Sequence, residues 1–116
     1  MSNDDSCVSD SVRLDALELV RERMPGDRDF MRFVSFVKAL GDFNRVRIVY
    51  ALRFGELCVF ELAELIGMRQ SAISHQLRLL RDKGVVCARR ENKHVFYSLV
   101  DEGLGDLLDS VFVFLE

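Results

Sequence analysis

Residues 57–99 leave this chain few folds to choose from, because two short amphipathic helices, a tight turn and a strand pair follow one another in a single run. The run reads LCVFELAELIGMRQSAISHQLRLLRDKGVVCARRENKHVFYSL. Val59, Leu62, Ala63 and Ile66 recur at helical spacing, and Gly67 follows as a residue able to take positive φ where that helix must end. A second helix is predicted over residues 70–83. Its Ile73, Leu77 and Leu80 form an apolar i, i+4, i+7 stripe, while Ser71, Ser74, His75 and Arg78 fall together on another face. Gly84 stops it, and residues 85–90 and 95–99 read as two strands around a turn at Glu91-Asn92-Lys93, where Asn92 tolerates positive φ.

A polar helix face is by default a solvated one. The donors and acceptors of this face, with one strong cation among them, also suit base edges and phosphate oxygens in a DNA major groove. Helix-turn-helix spacing ahead of it, and a basic hairpin tip behind it (Arg89, Arg90, Lys93 and His94), favour that second reading. Charge is divided the same way. Residues 69–94 hold seven Lys/Arg against two acids, residues 1–29 hold eight acids against four bases, and residues 95–116 hold five acids and no base, within a net charge of −3. Cations are thus gathered where DNA would be met. The acidic flanks lower long-range attraction, so affinity would rest on a dimer placing two helices more than on bulk charge.

Three motifs carry a resemblance to a known family: Glu56-Leu57-Cys58-Val59-Phe60-Glu61-Leu62-Ala63, then Ser71-Ala72-Ile73-Ser74-His75-Gln76-Leu77, then His94-Val95-Phe96-Tyr97-Ser98-Leu99. Over about residues 33–101 the chain resembles the ArsR/SmtB family of winged-helix, metal-responsive transcriptional repressors. The resemblance implies a mainly α (α+β) fold, a winged helix-turn-helix with a two-stranded β wing, dimerising through N- and C-terminal helices. It also implies binding to double-stranded operator DNA through Gln70, Ser71, Ser74, His75 and Arg78, with Arg89, Arg90, Lys93 and His94 on the wing. Arg69 departs from the pattern, standing where many relatives carry a capping Ser or Thr. An arginine cannot accept the free N–H, which costs about 1 kcal/mol unless another cap serves, but its cation is a candidate phosphate contact. Arg45 and Arg47 are weaker candidates for the same role, a solvated face being the simpler reading.

At 116 residues and 49% hydrophobic, the chain suits one domain over residues 10–116 behind a flexible tail at 1–9. No apolar run reaches the length of a membrane span, and the polar, acidic start lacks a signal-like apolar region. A cytoplasmic protein with no membrane association is expected. Neither a Gly-rich phosphate loop nor a nucleophile beside His75 or His94 argues for an enzyme. A protein-interaction module on the same fold, its basic wing meeting an acidic partner, stays open as the other class.

Four further helices are predicted around the central run. Residues 10–24 carry two apolar stripes, one with Val20 and one with Leu17, and end at Pro25-Gly26. Residues 27–40 group Phe30, Phe33, Val34, Val37 and Leu40, and Asp42 is placed to cap a helix over residues 43–54. From residue 101 to 116, Leu104, Leu107, Leu108, Val111, Phe112 and Leu115 recur at helical spacing, a face that needs a cover. The resemblance supplies one: a symmetry mate, with Leu17, Val20, Leu104, Leu108, Val111, Phe112 and Leu115 at the interface and recognition helices about 34 Å apart.

Cys7, Cys58 and Cys87 form no CxxC pair and no Cys/His cluster. Relatives ligate metal near the position of Cys58 with a second cysteine, which is Phe60 here, and with cysteines from the tail, of which Cys7 is the one available. Asp101 matches a second site of the family, but Gly103 and Phe114 stand where relatives carry histidines. Three readings of Cys7 and Cys58 remain: a thiophilic metal site completed by Asp4, Asp5, Asp10 or another ligand, a disulfide switch, or plain packing with no cofactor. Cys87 reads as core or strand packing.

Overall fold

The computed structural model describes residues 10–116, with side chains from Arg13 onward. They form two compact units, one ending at Arg32 and the other comprising Phe33–Glu116. The first holds α1 (Asp10–Arg23) and the opening turns of α2 (Asp27–Leu40); the second holds the rest of α2 and everything after it.

Within the second unit come α3 (Phe43–Leu52), β1 (Leu57–Cys58), α4 (Val59–Ile66), α5 (Gln70–Asp82), β2 (Val86–Glu91), β3 (His94–Leu99) and α6 (Gly103–Leu115). Asp42 caps α3 as its position predicts, one carboxylate oxygen accepting the N–H groups of Asn44 and Arg45 at 3.0 Å each. Replacing it with alanine should lower unfolding free energy by about 1 kcal/mol, read as a lower urea midpoint at unchanged m-value. Gly67 ends α4 at φ +81°, donating its N–H to the Ala63 carbonyl at 2.9 Å, so α5 can start three residues later at an angle to α4.

The core lies where α3, α4 and α5 meet the sheet. Ile48, Val49, Leu62, Ile73, Leu77, Leu80 and Val86 are its most deeply buried side chains, which includes the whole apolar stripe predicted for α5. The sheet has three antiparallel strands in the order β1-β3-β2, one more than the two-stranded wing expected from the pattern. Leu57 pairs with Tyr97 and Cys58 with Phe96. A strand of two residues is too short to show alternation, so only its partner reveals it.

Helix α6 differs from expectation in a second way. Leu108, expected at a subunit interface, is 6% exposed and belongs to the protomer's own core, with Leu104 packed beside it. The helix is drawn in by polar ties to α3. Tyr50 donates its hydroxyl to Asp109 at 3.0 Å, and Arg53 pairs with Asp109 and, at 3.8 Å, with Asp106. Gly105 makes room for this, since a Cβ there would lie 2.8 Å from Arg53 Cγ. Phe112 meets Tyr50 edge-on at 5.4 Å, while Val111, Val113, Phe114 and Leu115 stay exposed toward the end of the helix.

Candidate nucleic-acid interface

The recognition surface begins with the register of α5. Burying Ile73, Leu77 and Leu80 turns the opposite side outward, and Gln70, Ser71, Ser74, His75 and Arg78 are all exposed. No serine or aspartate caps this helix: Arg69 occupies the N-cap at φ −67°, ψ 149° and makes no side-chain capping bond. Its guanidinium is exposed at the end of α5 where the macrodipole is positive, a place suited to an anion rather than to a second cation. A phosphate bound there would face both.

The helix is held from beneath by Arg45. Its Nε donates to the Ala39 carbonyl at 2.7 Å, one terminal nitrogen to the Lys38 carbonyl at 3.3 Å, and the other to the Gln76 side-chain oxygen at 3.3 Å. One cation thereby satisfies the open carbonyls at the end of α2 and fixes the middle of α5. Arg47 is likewise bonded to the Asn44 side chain and the Ile66 carbonyl, with its guanidinium 4.7 Å from the Phe43 ring centre. Both arginines, weighed from sequence as phosphate contacts, have internal partners instead.

The wing turns at Asn92, whose φ of 58° is the only positive value among the described non-glycine residues. Glu91 pairs with His94, which makes Asn92-Lys93 the two-residue turn that an Asn at its first position favours. Arg89, Arg90, Lys93 and His94 are exposed around it. Arg69, Arg78, Arg90 and Lys93 form no ion pair among the described residues, whereas Arg89 is paired with Glu56 and Glu91. The hydrogen bond from Arg89 holds the Glu56 carboxyl below the ordinary carboxylate range, so this pairing is complete at neutral pH and is lost only as pH falls through that lowered value. Glu56 opens the first of the three motifs but was not among the candidate site residues. No local signal marks it, because its partner is 33 positions away.

Cys58 opens α4, where its backbone N–H donates to Glu61 at 2.9 Å. That bond first, and the thiol second, lower the Glu61 pKa. Cys87 is exposed, not in the core: Val86 points inward, so its neighbour points out, and Cys87 Sγ lies 3.4 Å from Ser98 Oγ across the strand pair. Among the described residues no three His, Cys, Asp or Glu side chains converge as metal ligands. Asp101, the one match to the second metal position, accepts the Gly103 N–H at 2.8 Å and so serves the start of α6. Cys7 lies outside the described residues. No described helix is long and apolar enough to cross a membrane.

Residues 42–87, which cover α3 through the first residues of β2, match the family described as bacterial regulatory protein, arsR family. The HTH-type transcriptional regulator NmtR of Mycobacterium tuberculosis is 48% identical over 75 residues, 65% of this chain and 62% of that protein. A transcriptional repressor SmtB homolog of Synechocystis is 35% identical over 105 residues, 90% of this chain and 80% of that one. Among solved structures, the homodimeric winged helix-turn-helix DNA-binding domain Mb0332 of Mycobacterium bovis superposes with a TM-score of 0.70 at 29% identity, covering 80% of this chain and 89% of that domain. The chain belongs to the ArsR/SmtB family of winged helix-turn-helix DNA-binding transcriptional regulators, whose members found here are regulators rather than enzymes.

Proposed function

We propose that residues 10–116 act as one DNA-binding and dimerisation domain, and that two copies repress transcription in the cytoplasm by holding an inverted-repeat operator. Each α5 lies in a major groove, with Arg69, Gln70, Ser71, Ser74, His75 and Arg78 toward the DNA and Arg90, Lys93 and His94 on the flanking backbone or minor groove. The observation that carries this reading is the division of α5, whose apolar stripe is sealed in the core while its polar face is wholly exposed. Dimerisation is supported by the exposed apolar end of α6, by the exposed Leu17 and Val20 of α1, and by the homodimeric state of the Mycobacterium bovis domain. Light scattering on the purified chain, alone and with a duplex from upstream of its own gene, tests it. Two protomers per inverted repeat are expected, and a monomer that retards no such duplex defeats the proposal.

Release from the operator is assigned to the thiol of Cys58 acting with Cys7. Cys7, Asp4 and Asp5 lie outside the described residues, so the absence of a three-ligand cluster among the others leaves a thiophilic metal ion as the second reading at these thiols. A disulfide between the two cysteines balances with a diffusible disulfide as oxidant, which accepts the two electrons and two protons and leaves as two thiols. Changing Cys7 and Cys58 together to serine should leave operator binding intact and abolish release by oxidised glutathione. If the double variant is still released, the sensor lies elsewhere.

A further inference from the structure

Arg89 is the one wing cation engaged by carboxylates among the described residues, and the engagement is extensive. Its Nε and one terminal nitrogen donate to the two oxygens of Glu56 at 2.9 and 2.8 Å, a fork-on-fork pair, and the other terminal nitrogen donates to Glu91 at 2.6 Å. The guanidinium carbon also sits 5.2 Å from the Phe96 ring centre. Sheet register explains the meeting. Cys58, Phe96 and Arg89 are directly opposed across the three strands, and Glu56 immediately precedes β1, so its side chain arrives beside the arginine.

A guanidinium edge that grips a carboxylate with two parallel N–H bonds is the same edge that grips a phosphate. Glu56 therefore stands where a DNA phosphate would stand. The group of Arg89, Arg90 and Lys93 faces two carboxylates rather than one, and its usable charge is smaller than its count of cations. All three members of the cluster remain exposed, so a phosphate can displace Glu56, but it must compete with a partner already in place.

Resting on the reading that the wing faces DNA, we propose that Glu56 is an affinity-setting residue of this interface, its carboxylate occupying Arg89 and withholding one phosphate contact per protomer. Binding of a fluorescein-labelled duplex of random sequence, followed by anisotropy over a range of salt concentrations, tests it, because phosphate contacts need no operator. Glu56→Gln should bind about three- to tenfold tighter at low salt, with a salt dependence steeper by about 0.9 in log–log slope per protomer. In an Arg89→Gln background the same change should leave the slope where it was, since the guanidinium to be released is gone.

Steepening in both backgrounds would mean mere removal of negative charge and overturns the proposal. So does weaker binding by a Glu56→Gln chain of unchanged thermal midpoint, which would make Glu56 a strut for the wing. Should that variant lose thermal stability, Glu91→Gln provides the second measurement: it frees another nitrogen of Arg89 and is also expected to tighten binding, and no gain there counts against the proposal. A wild-type chain that binds no duplex at low salt overturns the DNA reading and this inference together. Wild-type binding with an unaltered slope in Glu56→Gln overturns the inference alone.

Discussion

Changing Ser74 and His75 together to alanine is expected to weaken operator binding about 100-fold or more, while binding to random DNA at low salt stays nearly the same. Both side chains are exposed on the outer face of α5 and neither touches the core stripe. Alanine is also the better helix former, so the fold should not suffer. Each side-chain contact to a base edge contributes about 1–3 kcal/mol of discrimination, and a two-fold complex loses it twice. Phosphate contacts by the remaining cations are untouched, which is why the non-specific component survives. Competition gel shifts, with the duplex upstream of the chain's own gene against random duplex, measure the ratio. An unchanged ratio would remove α5 from the recognition role.

Leu77→Ala should have the largest effect on folding, a loss of about 3 kcal/mol. Leu77 is 1% exposed, at the point where α5 packs into the core formed with α3, α4 and the sheet. Truncation there leaves a hole between elements that are tied together and can collapse only in part, which places the cost in the usual range for buried leucines. For a domain with a total stability of about 5–15 kcal/mol, that is a large share. Equilibrium urea unfolding checks it, with Leu77→Met as the control expected to lose less than about 1.5 kcal/mol. A Leu77→Ala loss no greater than that of the methionine control would show that α5 is not anchored by its apolar stripe, and the outward presentation of Ser74 and His75 would then lack its physical basis.

Much of this protein was legible before any coordinates. Helices α2 and α5 begin where capping and periodicity put them, because the signals involved are local: Pro25-Gly26 ahead of one, Gly67 and an i, i+4, i+7 stripe for the other. The turn at Asn92-Lys93 was readable for the same reason, being set by the residue that must take positive φ. Strand β1 was not, since two residues carry no periodicity. Leu108 was misplaced because an amphipathic C-terminal helix looks alike whether its apolar face meets its own core or a second subunit. Its ties to α3 through Tyr50 and Arg53 span 59 and 56 residues of sequence, beyond the reach of any pattern.

The amino-acid order by itself determined which face of α5 is polar, where each helix of the helix-turn-helix starts and stops, and that the cations collect between residues 69 and 94. These follow from backbone geometry and from side chains a few positions apart. Tertiary structure alone decided which of the chain's cations are taken by internal partners. Arg45 goes to carbonyls at the end of α2, Arg89 goes to Glu56, and Arg69, Arg78, Arg90 and Lys93 have no carboxylate partner among the described residues. Ion pairing acts over a few ångströms of space, and only strand register and helix packing bring residues tens of positions apart within that distance.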